Sequence, residues 1–153
     1  MRRLLSGGLI LLAGAAALSP HQVHRGVGTP SGDMRYQMLH SFFQKFNCPA
    51  DAYTSEFLKA ADIYNLDWRL LPSISFVETA GGKVSPNNNI FGWDNGRARF
   101  RSLAAGIYAV GYQLAYSDVY RNKGLDEVLT VYNPVGRYAR AVENVMDQIA
   151  PLQ

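Results

Sequence analysis

Glu78 is the residue whose surroundings set up chemistry. It lies near the end of an apolar stretch, within Leu70 to Gly96 (LLPSISFVETAGGKVSPNNNIFGWDNG), where Leu70, Leu71, Ile74 and Val77 crowd the same side of a helix. Ile74 and Glu78 are one turn apart, so the carboxyl is directed beside apolar neighbours. Desolvation there raises a carboxyl pKa. That is the condition for an acid that keeps its proton near neutral pH and donates it to a leaving oxygen. The same glutamate could instead accept hydrogen bonds from the Asn-rich loop and pin it. Gly81-Gly82 end the helix in backbone that glycine adopts cheaply, leaving the approach to the acid open.

The loop that follows carries groups suited to a neutral polar ligand such as a sugar. Asn87, Asn88 and Asn89 offer amide donors and acceptors, and equally suit a structural turn. Phe91 and Trp93 could stack on sugar rings or cover the core beneath the loop. Asp94 is the nearest further carboxylate: either a second acid, at the roughly 5 to 9.5 Å that a two-acid glycosidase requires, or the cap of the Asp94-Asn95-Gly96 turn. Tyr108, Tyr112 and Tyr116 share a helix face, as packing or as one wall of a groove. Tyr132 and Tyr138 flank Asn133-Pro134-Val135-Gly136, where a tyrosine could bond a sugar or a reacting water, or anchor the last helix.

Other chemistries fit poorly. The chain has no phosphate-binding glycine loop ending in Lys-Ser/Thr, no cysteine pair and no His-x-x-x-His. No serine stands in a Gly-x-Ser-x-Gly turn. Ser73 and Ser75 lack a neighbouring histidine, and His40 sits among Leu39 and Phe42 as a structural residue. His21 and His24 are spaced for a metal but fall in a polar tail, so neither a metal nor a cofactor is expected.

The elements that must position these residues are helical. Asp33 caps a helix to about Phe46, whose inner face is Met34, Met38, Leu39, Phe42, Phe43 and Phe46, and Asn47-Cys48-Pro49 stops it. A second helix runs from about Asp51 to Tyr64 on Tyr53, Phe57, Leu58, Ala61 and Tyr64, with Glu56 and Lys59 or Ala60 outward. A third runs from about Trp68 to Thr79, with Asp67 as cap and Pro72 near the first turn. Lys83 to Phe100 has no helical period and reads as an irregular loop or a small hairpin, Ile90–Trp93 turning back through Arg97–Phe100. Helices then follow from about Ser102 to Tyr116, from Asp126 to Tyr132, and from Asn133 or Pro134 to Ile149.

Length and charge bound the rest. The 153 residues suit one domain with one core. The single cysteine, Cys48, can form no internal disulfide. Arg2-Arg3, the apolar run Leu4–Leu18 and the small residues Ala15–Ala17 read as an export signal or short anchor over residues 1–22, followed by a flexible leader over 23–32 and the domain at 33–153. The apolar run is about 15 residues, against the roughly 20 of a membrane span. From Leu18 onward 13 Lys/Arg face 12 Asp/Glu, which is no footprint for nucleic acid. The protein is expected to be exported to the periplasm or cell exterior.

Pro72-Ser73-Ile74 through Glu78-Thr79-Ala80-Gly81-Gly82-Lys83, then Asn88-Asn89-Ile90-Phe91-Gly92, resembles bacterial peptidoglycan hydrolases of the lysozyme-like superfamily. The likeness is closest to cell-wall endo-β-N-acetylglucosaminidases of flagellar and autolysin type, and covers about Asp51 to Ile149. It implies a mostly α, lysozyme-like domain with a small non-helical or hairpin insertion, and cleavage of β-1,4 bonds in the glycan strand of peptidoglycan. Glu78 would be the general acid. Asn88, Asn89, Phe91 and Gly92 would shape the cleft floor, Tyr132 would assist near the reacting sugar, and Tyr138 would support it. Related lytic transglycosylases use one acid and no hydrolytic water. Thr79-Ala80 stand where the family has Ser before Gly, and the region that would bear a second acid is short. The enzyme is expected to act as a monomer in association with the cell envelope. The alternatives are a non-catalytic wall-glycan-binding or scaffold domain, and a groove that receives a peptide.

Overall fold

A computed structural model describes residues 32–151. The export signal and most of the leader expected at the N-terminus lie outside the described residues. Six α-helices make up the domain: α1 (Met34–Lys45), α2 (Thr54–Tyr64), α3 (Leu70–Thr79), α4 (Leu103–Tyr116), α5 (Leu125–Tyr132) and α6 (Tyr138–Ile149), with short 3-10 turns at Pro49–Tyr53 and Pro86–Asn88. Among the described residues there is no strand, and no helix is long and apolar enough to cross a membrane.

Helix α3 is the axis of the core. Leu70, Leu71, Pro72, Ser73, Ile74 and Ser75 are all buried, a continuous apolar girth that needs neighbours on every side. It packs on α6 and α2; α2 packs on α4, α1 on α2 and α6, and α5 on α6. Pro72 costs no hydrogen bond, because the first turn of a helix has no intrahelical partner for its N–H groups. Phe42, Phe46 and Phe76 meet at centroid distances of 5.0–5.1 Å, joining α1 to the outer side of α3.

Several boundaries differ from the sequence expectation for local reasons. The second helix starts at Thr54, not Asp51, because Tyr53 has φ −115° and ψ 15° and closes a separate 3-10 turn. The third starts at Leu70, not Trp68: Asp67 does cap, but the N–H it receives at 2.9 Å is that of Arg69 in the preceding turn. The last begins at Tyr138, because Asn133 accepts the Val135 N–H (3.1 Å) and holds residues 133–135 in a turn. Of Lys59 and Ala60, the alternatives expected outward, Lys59 is exposed and Ala60 is fully buried, because α2 is covered by both α1 and α4. Met34 and Met38, expected inward, are exposed at the edge of α1.

The hairpin does not form. Gly92, Asp94, Asn95 and Gly96 all have positive φ, which curls the chain instead of extending it. The returning segment pairs further back: the Phe100 N–H donates to Asn87 O (3.0 Å), and the Asn88 amide donates to Phe100 O (2.9 Å).

One buried cation clamps the two ends of the core together. Arg69, 6% exposed, donates to both oxygens of Asp67 (3.0 and 2.6 Å) and to the carbonyl of Ala150 at the end of α6 (2.7 Å). Burial alone would raise the Asp67 pKa, but the Arg69 hydrogen bonds and charge outweigh it and hold the carboxyl below its ordinary value. Arg69→Ala leaves the α6 carbonyl without this donor and Asp67 with only the backbone N–H of residue 69. It is expected to cost about 2 kcal/mol in urea unfolding, and Arg69→Lys should recover only part of that, since a point charge cannot make the fork. A loss below about 0.5 kcal/mol would show that the clamp is ornamental.

Candidate functional site

Glu78 ends up beside an open cleft because three consecutive residues after α3 turn left-handed. Ala80, Gly81 and Gly82 have φ of +52°, +65° and +92°. Gly81 could not be larger, since a Cβ there would lie 2.7 Å from the Cβ of Cys48. The reversal is fastened by Thr79, a buried hydroxyl that receives the Gly82 N–H (3.0 Å) and lies 2.9 Å from Ile90 O and 3.0 Å from Ser75 O, the two acceptors for its proton. Ile90 and Phe91, both fully buried, then plug the core, and the next residue, Gly92, passes directly over the acid. A Cβ at Gly92 would lie 2.6 Å from Glu78 Oε2, so only glycine leaves the carboxyl where it is.

The cleft has a volume of about 740 Å3 and is lined by Glu78, Gly92, Trp93, Asp94, Tyr120 and Tyr132, with Asn133 and Pro134 at its rim. Trp93 is the hub of its aromatic wall, 5.6 Å from Tyr132 and 6.1 Å from Tyr120 between centroids. Tyr138 stacks behind Tyr132 at 5.8 Å and 5°. The Tyr132 hydroxyl donates to the Phe91 carbonyl, tying the start of the cleft loop to the end of α5.

The electrostatics are those of an acid without a counter-ion. Burial raises the Glu78 pKa, and the Tyr138 hydroxyl, which faces the carboxyl, offsets part of the rise. The Tyr138 hydroxyl stands within reach but does not close a well-formed hydrogen bond; it is buried without a partner. No lysine or arginine pairs with Glu78 among the described residues. Tyr132 and Tyr138 are themselves driven above the ordinary phenol value, by burial first and then by the Glu78 charge. Both hydroxyls therefore keep their protons at neutral pH.

Of the residues singled out in the sequence, Glu78, Gly92, Trp93, Asp94 and Tyr132 line one cleft. Four do not. Phe91 is 0% exposed and meets Phe57 edge-on at 6.3 Å, so it forms core and not cleft floor. Asn89 is 2% exposed; its amide donates to Trp93 O and accepts from Trp93 N, both at 2.9 Å, so it holds the indole in place without reaching the opening. Asn88 is exposed away from the cleft, with φ +57° and its amide on Phe100. Tyr138 backs the wall from within the core. Asp94, also left-handed at φ +53°, is bound to Arg97 at 2.7 Å. The Asn/Asp richness of the loop thus serves its left-handed backbone, which these two residue types tolerate best after glycine.

Tyr120 is the cleft residue that sequence reasoning missed. It lies in the polar segment between α4 and α5, where no periodicity marks a face, and only its aromatic character in that setting could have singled it out. No cluster of metal-ligating side chains occurs among the described residues. Compared with known protein families, with curated proteins and with solved structures, the chain matches none.

Two outcomes test this geometry. Gly92→Ala meets only the far end of a flexible side chain but must hold φ +59°, so it should fold with a loss of about 1–2 kcal/mol while displacing the Glu78 carboxyl. A lowered melting temperature with a shifted Glu78 titration by NMR is expected; an unmoved titration would refute the contact. Glu78→Gln should stabilise the protein near pH 7. A carboxyl whose folded pKa is raised contributes its stability below the unfolded value, 4.5, and loses it as pH rises through the folded value, whereas Gln does not titrate. The melting-temperature gain should therefore shrink between pH 7 and pH 4.

Proposed function

We propose that this protein cleaves β-1,4 glycosidic bonds in the glycan strands of peptidoglycan, on a helical domain of lysozyme-like architecture. The observation that carries the reading is Glu78: a carboxyl with no cationic partner among the described residues, pushed up by burial and opening on an aromatic-walled cleft. Its proton passes to the glycosidic oxygen as the C1–O bond breaks, which leaves positive charge on the sugar ring. Trp93, Tyr120 and Tyr132 present ring faces and edges to the pyranose faces, the match expected of a saccharide site. Tyr132 and Tyr138, held neutral, add no charge of their own beside the acid.

Asp94 is the other acid in the cleft lining. In a hydrolytic reaction it takes the proton from the attacking water, which adds to C1 to give a reducing end. Where Asp94 stays on Arg97, the sugar's own hydroxyl closes on C1 and gives its proton to Glu78, by then ionised, and the product is an anhydro end. A non-catalytic glycan-binding domain is the second reading, favoured by that Asp94–Arg97 pair, which occupies the only carboxylate near Glu78 in the lining. A wall-glycan substrate puts the protein outside the cytoplasm, in keeping with the export signal expected at residues 1–22. With 12 Lys/Arg against 12 Asp/Glu over residues 32–151, the domain has no net charge to draw it to nucleic acid. It works as a monomer on the strand.

Purified peptidoglycan incubated with the protein and with Glu78→Gln, followed by mass analysis of the fragments, tests the reading. Fragments from the parent alone are expected, with a rate that falls as pH rises through the Glu78 pKa because the ionised acid has no proton to give. Reducing ends name hydrolysis and anhydro ends name internal closure. Equal release by both proteins, or binding by both with no release, removes Glu78 from catalysis.

A further inference from the structure

We infer that the protein carries a second saccharide-binding site, a tyrosine platform at the far end of α3, which holds a more distant stretch of the glycan strand bound at Glu78. The inference deepens the glycan reading and rests on it.

The observation is a set of tyrosines that the core does not use. Tyr112 and Tyr116 on α4 are each 52% exposed and stand one helical turn apart. They are not loose. Tyr64, from the end of α2, stands edge-on to both, at 6.1 and 6.0 Å, and the two are 5.2 Å from each other. Tyr64 can sit so close to α4 only because residue 111 is glycine: a Cβ there would lie 2.8 Å from the Tyr64 ring. Three rings are thus pre-set on the surface, which lowers the ordering cost of stacking a ligand on them.

Beside the platform lies a cavity of about 410 Å3. Tyr64 and Tyr116 form its aromatic side, and Asn65 and Asn122 also line it. Both asparagines have left-handed backbone, φ +52° and +63°, and both side-chain amides are without a protein partner among the described residues. Ring faces beside free amides are the complement of a neutral sugar, whose faces are apolar C–H and whose edges are hydroxyl and acetamido groups. Tyr120 lines this cavity and the Glu78 cleft alike, so the two adjoin on either side of one ring. A linear glycan is the occupant that this adjacency fits: one polymer crossing the Tyr120 ring reaches both sites, whereas a small molecule fills one.

The test uses the full protein carrying Glu78→Gln and β-1,4-linked N-acetylglucosamine oligomers of defined length as the probe, with affinity measured by calorimetry. Long oligomers should bind about tenfold more tightly than short ones, and the Asn65 and Asn122 side-chain amide signals should shift in NMR spectra only with the long ones. Tyr116→Ala, at an exposed position, should abolish the length dependence and leave short-oligomer binding unchanged; Tyr116→Trp should keep it. Equal affinity at every length, or a Tyr116→Ala variant with the parent's length dependence, overturns the platform while leaving the Glu78 cleft intact. Length-dependent binding lost in Tyr116→Ala, from a protein that releases no fragments from peptidoglycan, keeps the platform and removes only the cleavage. No binding at any length overturns both.

Discussion

The site depends on the hydroxyl of Thr79. A helix that ends in the core must turn the chain around without stranding its last polar groups, and α3 does this in the space of three left-handed residues. Thr79 fastens that turn from inside, receiving the Gly82 N–H and meeting Ile90 O across eleven residues of chain. Because Ile90 is held there, Phe91 falls into the core, Gly92 falls on the acid and Trp93 falls at the wall. The Tyr132 hydroxyl on the Phe91 carbonyl and the Asn89 amide on the Trp93 backbone repeat the same device on either side of Gly92. A loop with no regular structure is thereby located by side-chain hydrogen bonds to backbone, each costly to break because its groups are buried.

The two ends of α3 illustrate opposite treatments of charge. At its start, Arg69 is buried and fully used by Asp67 and the end of α6. At its end, Glu78 is partly buried and has no cationic partner among the described residues. A structural acid is usually paired, since an uncompensated carboxylate in a low-dielectric setting works against the fold. An acid kept protonated for donation needs just that imbalance. The domain tolerates it because the stabilising contacts lie elsewhere, in the α3–α6 clamp and the Phe42/Phe46/Phe76 cluster.

Helices were legible because their apolar spacing is local information. Asp33 stands as the cap of α1 as the sequence reads, its side chain accepting from Arg35 N, and Ser102, where the fourth helix was expected to begin, is the cap of α4, accepting from Ala105 N. The starts of α2, α3 and α6 were not, since Tyr53, Asp67 and Asn133 each divert backbone groups into a separate turn that competes with the helix by about one hydrogen bond. The distinction between hairpin and irregular loop for residues 90–100 was likewise undecidable locally. It turned on whether residues 97–100 found their partners at 90–93 or at 87–88, and the curl from Gly92 to Gly96 chose the latter.

The sequence by itself determined a mostly helical chain, an acid on the apolar side of a helix that stops in glycine, and a loop built of residue types that accept positive φ. Those follow from spacing and from backbone preference, which each residue carries with it. Tertiary structure decided which aromatic and amide side chains would face the cleft. Phe91 and Trp93 are two residues apart and alike in type, yet one is sealed in the core and the other walls the cleft; Tyr112 and Tyr116 stay outside while Tyr138 goes in. Burial is a property of the neighbours that arrive from elsewhere in the chain. Large rings that satisfy a core and a binding surface equally well are sorted only when those neighbours are in place.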